Sequence, residues 1–232
     1  MPTTDQHRPS RRTVVRGVAW SAPVVSTAAA APAFAASPCQ RTALQPVTWT
    51  AGTTTSLTGA ASGGAGVSVS ASYTAGLGGG RIDTPNLSVQ SVASTNDAFL
   101  LANVAPTLLA DASYQTVTFT FARPVHELTF AVDDVDAENG CLDCVALAAT
   151  PAETPASTPG SAITGAGTVA NPWRTTGGAG DNAATQTVGV TYADGLAGVT
   201  SLQVRYWSST VIGLGTGRQQ VRVRQMRFRT CV

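Results

Sequence analysis

Tyr114-Gln115-Thr116-Val117-Thr118-Phe119-Thr120-Phe121 decides the fold. Val117, Phe119 and Phe121 alternate with Thr116, Thr118 and Thr120, and a period of two built from β-branched and aromatic residues marks a strand buried on one face. Arg123-Pro124 follows as a turn, after which 127–135 alternates again. Upstream, Val67, Val69, Ala71 and Tyr73 are set against Gly66, Ser68, Ser70 and Ser72. Further strands are expected over 47–51, 81–92, 98–104, 142–149, 185–192, 199–208 and 219–230. Turn signals separate them at 62–64, 76–80, 139–140, 194–195 and 213–217. A change of phase at Gln225 predicts a bulge in the last strand. Alternation instead of continuous apolar runs excludes a parallel sheet covered by helices. The expected class is all-β, an antiparallel β-sandwich of jelly-roll type.

Working outward, residues 1–35 have the three parts of a secretory signal. Arg8, Arg11, Arg12 and Arg16 form a basic start, 17–31 is uncharged, and Ala33-Phe34-Ala35 is a small-residue exit. Ser10-Arg11-Arg12-Thr13-Val14-Val15-Arg16 resembles the twin-arginine translocation motif, with Val14 and Val15 where that motif usually has Phe and Leu. The resemblance implies the twin-arginine translocase as a partner during export and an extracellular location. One β-sandwich domain is expected over 36–232, with a Pro/Thr/Ser-rich surface loop at 150–162 carrying Pro151, Pro155 and Pro159.

After such a cleavage ten Arg face twelve acidic residues, a net charge of −2, so neither nucleic acid nor an anionic membrane is an expected partner. All fourteen basic residues are Arg. Without Lys there is no P-loop lysine, no Schiff base and no Lys-Asn isopeptide staple. Cys39, Cys141, Cys144 and Cys231 form an even set in an oxidising compartment. Of the three possible pairings, Cys39 with Cys231 and Cys141 with Cys144 are expected, the first tying the ends and the second closing a short loop.

The densest polar cluster is Asp133, Asp134, Asp136 and Glu138, followed by Asp143 between Cys141 and Cys144. Several oxygen donors on one loop make it a candidate calcium site, although the spacing is not that of an EF-hand. The same carboxylates are what a hydrolase would need as a pair. Cys141-Leu142-Asp143-Cys144 has redox-pair spacing, but in a strand-rich acidic region a structural disulfide is expected. His126 is the only His after cleavage, beside a turn, and no Gly-x-Ser-x-Gly elbow accompanies it, so a nucleophilic triad is not supported. Trp207 shares a face with Gln203 and Arg205, which makes Arg205 and Trp207, with the loop residue Trp173, candidates for contacting a sugar.

The stretch from Tyr114 through Arg123-Pro124-Val125 and Leu128-Thr129-Phe130-Ala131-Val132 to Asp134-Val135-Asp136 resembles β-sandwich domains of secreted and surface bacterial proteins. There a Thr/Phe strand, a Pro-Val turn and a Leu-x-Phe-x-Val strand end in an Asp-x-Asp loop, and 187–207 with the last strand extend the likeness to the final half of the chain. The Arg-only, Ala-rich composition resembles that of actinobacterial proteins exported by the twin-arginine route. Together these resemblances imply an adhesin-like or carbohydrate-binding-like module, non-catalytic, with a glycan or cell-surface ligand. The alternatives are a carbohydrate-active hydrolase on a jelly roll and a structural envelope component.

Overall fold

A computed structural model describes residues 39–76, 79–104, 113–138, 140–176, 184–194, 197–210 and 218–232, the side chains of Glu138 and Thr210 excepted. The export signal with Arg11 and Arg12 lies outside the described residues. Gln40–Val232 is one compact unit and Met1–Cys39 another. The larger unit is all-β, and its strands pair antiparallel throughout.

Strands β1 (Gln45–Thr50), β2 (Ser56–Ala61) and β3 (Gly66–Thr74) form a meander in which buried and more exposed residues alternate. Sequence patterning misses β2, because its inward positions are Leu57, Gly59 and Ala61, two of them too small to register as apolar. Their size is set by a neighbour: Gly59 lies opposite Trp49 on β1, and a Cβ there would come within 2.5 Å of the indole. The single strand expected over 81–92 is instead two short pieces, β4 (Arg81–Ile82) and β5 (Val89–Gln90). Between them a turn is pinned by buried Asn86, whose Oδ1 accepts from Ala102 N at 2.9 Å and Gln115 Nε2 at 2.7 Å. Both pieces pair with β6 (Ala98–Val104), which is buried almost end to end.

β7 (Tyr114–Asp133) runs straight through the expected turn at Arg123-Pro124. Odd-numbered residues are buried from Gln115 to Phe121 and again at Val125, whereas from His126 to Val132 the even-numbered ones are, so the inward phase flips between Val125 and His126. Residues 122–124 are exposed, where a proline costs no ladder bond, and Glu127 takes φ +47° where the phase resets. The strand therefore changes partners: its first half pairs β3 and β14 (Val199–Thr210), its second half β13 (Val188–Thr191) and β15 (Arg218–Thr230). Between these come β8 (Ala137–Glu138), β9 (Cys141–Thr150), β10 (Ala156–Pro159) and a separate hairpin of β11 (Ile163–Thr164) with β12 (Arg174–Thr175). The Pro-rich stretch is thus not wholly a loop, since β10 pairs with β13.

Pairing β15 to β1, β1 to β2, β2 to β3, β3 to β7 and β7 back to β15 closes a ring of five strands. Strand β6 extends from β15, while β14, β9 and β8 extend from the first half of β7. β15 carries the predicted bulge: its register with β7 shifts between Arg224 and Arg227, and Gln225 has φ +55°. The core gathers Trp49, Phe99 and Phe119, with Trp49 edge-on to Phe99 at 4.9 Å, and a second aromatic contact joins Phe121 to Phe228 at 5.6 Å.

Cys39 and Cys231 are disulfide-bonded, in accord with the expected terminal pair. The expected Cys141–Cys144 bridge is not formed, and both residues are thiols. Both lie on β9 three positions apart, which in extended chain separates them by about 10 Å and turns their side chains to opposite faces. A disulfide needs Cα atoms within about 7 Å.

Candidate functional site

Where β7 alternates Val/Phe with Thr, the Thr positions must face away from the core. The same parity holds in β1, β2 and β3, and register converts it into a surface, because residues directly opposite one another share a face. Thr50 opposes Thr58, Thr58 opposes Ser68, Ser68 opposes Thr120, Thr120 opposes Ser201 and Ser201 opposes Thr150. Six adjacent strands so contribute one continuous row of hydroxyls. Neighbouring strands lie about 4.8 Å apart, so the row runs roughly 24 Å along the curved sheet. The next row reads Ser56, Ser70, Thr118, Gln203 and Ala148, and the one after it Ser72, Thr116, Arg205 and Ala146. Arg205 is the only charged residue in these three rows.

Arg205 also lines a cleft of about 200 Å³ with Tyr114, Thr116, Ala148, Val169 and Gln203. Its guanidinium lies over the Tyr114 ring, 3.4 Å from the centroid, and 5.4 Å from the Trp207 centroid, a cation–π arrangement that fixes a long, flexible side chain. Among the described residues Arg205 has no carboxylate partner, and its buried Nε has no hydrogen-bond acceptor. Arg41, Arg218, Arg224 and Arg229 are paired with Asp194, Asp83, Asp133 and Glu127, whereas Arg222 on β15 shares with Arg205 a buried Nε without an acceptor among the described residues.

Of the three residues expected to contact a sugar, only Arg205 reaches an opening. Trp207 is on the predicted outward face but is 5% exposed, packed with Cys144, Ala146 and Tyr114 in a small second apolar cluster. Trp173 is fully buried: its backbone exchanges hydrogen bonds with Val145, and Gly167, at φ +70°, lies close enough that a Cβ would meet the indole at 2.5 Å. The loop after β11 thus folds over Trp173. Alternation assigns a side chain to a face, whereas loops decide whether that face is covered.

The acidic segment is not a solvated tip. Asp133, Asp134, Asp136 and Asp143 are all buried. Asp133 pairs with Arg224 and accepts from Thr187 Oγ1 at 2.9 Å. Asp143, wholly buried, accepts from Tyr206 OH at 2.8 Å and from Asp136 N at 3.4 Å. Burial drives its pKa well above the usual carboxylate range, with nearby Asp136 and Asp134 adding to the rise against the Tyr206 hydrogen bond. Among the described residues no three of these carboxylates bring oxygens within 4.8 Å of one another. The calcium arrangement expected of Asp133, Asp134, Asp136 and Asp143 is therefore not assembled, because Asp133 and Asp143 are each engaged by protein donors. The side chain of Glu138 lies outside the described residues.

His126, expected as a surface turn residue, is buried at 4% exposure. Its Nε2 is 3.5 Å from Cys231 Sγ and its Nδ1 3.5 Å from Asp194 Oδ1. With Cys231 in a disulfide that sulfur is not a nucleophile. Cys141 is buried too, and burial, with Asp143 nearby, raises its thiol pKa, the opposite of what a reactive cysteine requires.

No protein-family model, curated protein or solved structure matches this chain. Tyr114 and the hydroxyl rows were missed as site residues by inspection of the sequence. Their outward parity is visible in the alternation, but the register that aligns six strands is not.

Proposed function

We propose that the protein is a non-catalytic binding or adhesion module, exported through the twin-arginine translocase, whose outer sheet face engages polysaccharide outside the cell. The five-strand ring with its extensions is, on this reading, a variant of the jelly-roll-like sandwich. The observation that carries the proposal is the row Thr50, Thr58, Ser68, Thr120, Ser201 and Thr150, with the parallel row beside it.

An uncharged face of short hydroxyls offers donors and acceptors at regular spacing. Each hydroxyl contact exchanges with water and contributes little net free energy. Many in register favour a ligand that is itself repetitive and hydroxylated, through effective concentration. Burial of Asp133, Asp134, Asp136 and Asp143 counts in favour of binding over hydrolysis, since a hydrolase presents its two carboxyl groups to the glycosidic bond.

Screening the purified protein against a glycan array, followed by pull-down on insoluble polysaccharides, tests the proposal. Binding to one or more repetitive polysaccharides without release of reducing sugar is the expected result. A blank array with no retention would overturn it in favour of the structural-component alternative, and release of reducing sugar would favour the hydrolase.

A further inference from the structure

Resting on that reading, we infer that the cleft at Arg205 selects for a carboxylate on the bound polysaccharide, so that the preferred ligand is a uronic-acid-bearing glycan. Arg205 is the only cation in the three hydroxyl rows, and among the described residues it has no carboxylate partner. Its buried Nε lacks an acceptor. The side chain as a whole is only partly buried where it lines the cleft, so a ligand carboxylate can meet its guanidinium there. Stacking on Tyr114 holds the guanidinium plane, and a planar guanidinium matches a carboxylate in shape and charge.

Arg205 sits two residues along β14 from Gln203, whose row contains Thr118, and four from Ser201, whose row contains Thr120. A chain lying across the hydroxyl rows would bring a carboxylate to the cleft while its hydroxyl groups meet Ser and Thr. The surroundings favour a sugar over an acidic peptide. Strand β14 is already paired on both edges, with β7 and β9, so no ladder position is open for strand addition.

The test compares retention of the full chain on polygalacturonate, on the same polymer after methyl esterification, on a neutral β-glucan and on polyglutamate. Esterification removes the charge but keeps the sugar, so it probes the cleft without altering the protein. Polygalacturonate is expected to bind about tenfold more tightly than its ester, the scale of one charge-assisted hydrogen bond. Arg205→Gln should erase the difference between the acid and its ester, and Arg205→Lys should restore part of it. Equal affinity for the acid and the ester overturns the carboxylate inference but leaves glycan binding standing. Polyglutamate binding as tightly as polygalacturonate overturns the assignment to a sugar. No retention on any of the four overturns both.

Discussion

Asp143 carries the most consequential single-residue chemistry away from the surface. Its carboxyl is wholly buried, its pKa is raised by that burial, and Tyr206 donates to it. A folded-state pKa above the unfolded value gives stability that is fully present below the unfolded pKa and is lost as pH rises through the folded one. Thermal stability should therefore fall as pH rises above the ordinary Asp range. Asp143→Asn, which keeps an acceptor for Tyr206, should flatten that slope and raise the melting temperature at pH 8 by several degrees, since about 1 kcal/mol shifts Tm by roughly 2–4 °C at this size. A melting curve at each pH, with an unchanged slope in the variant, would refute this. Asp97 has the opposite sign. Burial raises its pKa, but backbone N–H groups of Val92, Ala93 and Ser94 outweigh that and lower it, so its contribution is lost as pH falls through its folded pKa. Because Asp133 and Asp143 are engaged by protein donors, calcium at millimolar concentration should leave the melting temperature unchanged, and a rise would reinstate the loop as a cation site. The sequence showed that these acids are dense but not that they are buried, because burial depends on β14 and β15 bringing Tyr206 and Arg224 over them.

Among the strands, the pairing of Trp49 with Gly59 is the clearest case of one residue dictating another. A Cβ at position 59 would meet the indole at 2.5 Å and Val47 at 2.8 Å. Gly59→Ala should therefore cost about 1–3 kcal/mol, lowering Tm by roughly 2–12 °C, while Thr58→Ala on the exposed side of the same strand should change it little. Equal losses from both would show that the closeness of β1 and β2 is not what limits this position. The strong period-two segments at 66–74, 114–121 and 219–230 were legible because each sets large apolar residues against polar ones. β2 was not, since its inward residues are small for a reason that resides in β1. The interruption in β7 reads as a turn in the sequence, as Arg123-Pro124 has turn chemistry and only the pairing on both sides shows the strand passing through. The Cys141–Cys144 expectation failed for the same kind of reason: their spacing in sequence closes a loop but spans too far along a strand.

For the whole molecule, the proposed export through the twin-arginine route would require a domain that folds before its disulfide forms. The ring of five strands and its aromatic core are held by packing. The reduced protein should keep its β-sheet circular dichroism and melt cooperatively at a lower temperature, by an amount bounded by the roughly 5 kcal/mol that a loop of this length can contribute. Reduced protein without a cooperative transition would favour the general secretory pathway instead. The hydroxyl face is the larger consequence of the topology. Its outward parity could be read strand by strand, yet only the pairing of β1, β2, β3, β7, β14 and β9 aligns Thr50, Thr58, Ser68, Thr120, Ser201 and Thr150 into one row. Ser70 stands in the adjacent row, exposed and between Ser56 and Thr118. A Ser70→Glu substitution places a larger, negatively charged group on the face, which obstructs a neutral glycan and repels an acidic one, at a site where surface changes cost within about 0.5 kcal/mol. The most direct measurement is retention of this variant and the wild type on the polysaccharide that binds best. At least a tenfold loss of affinity with an unchanged melting temperature is the expected result, and equal retention of the two proteins would contradict binding through this face.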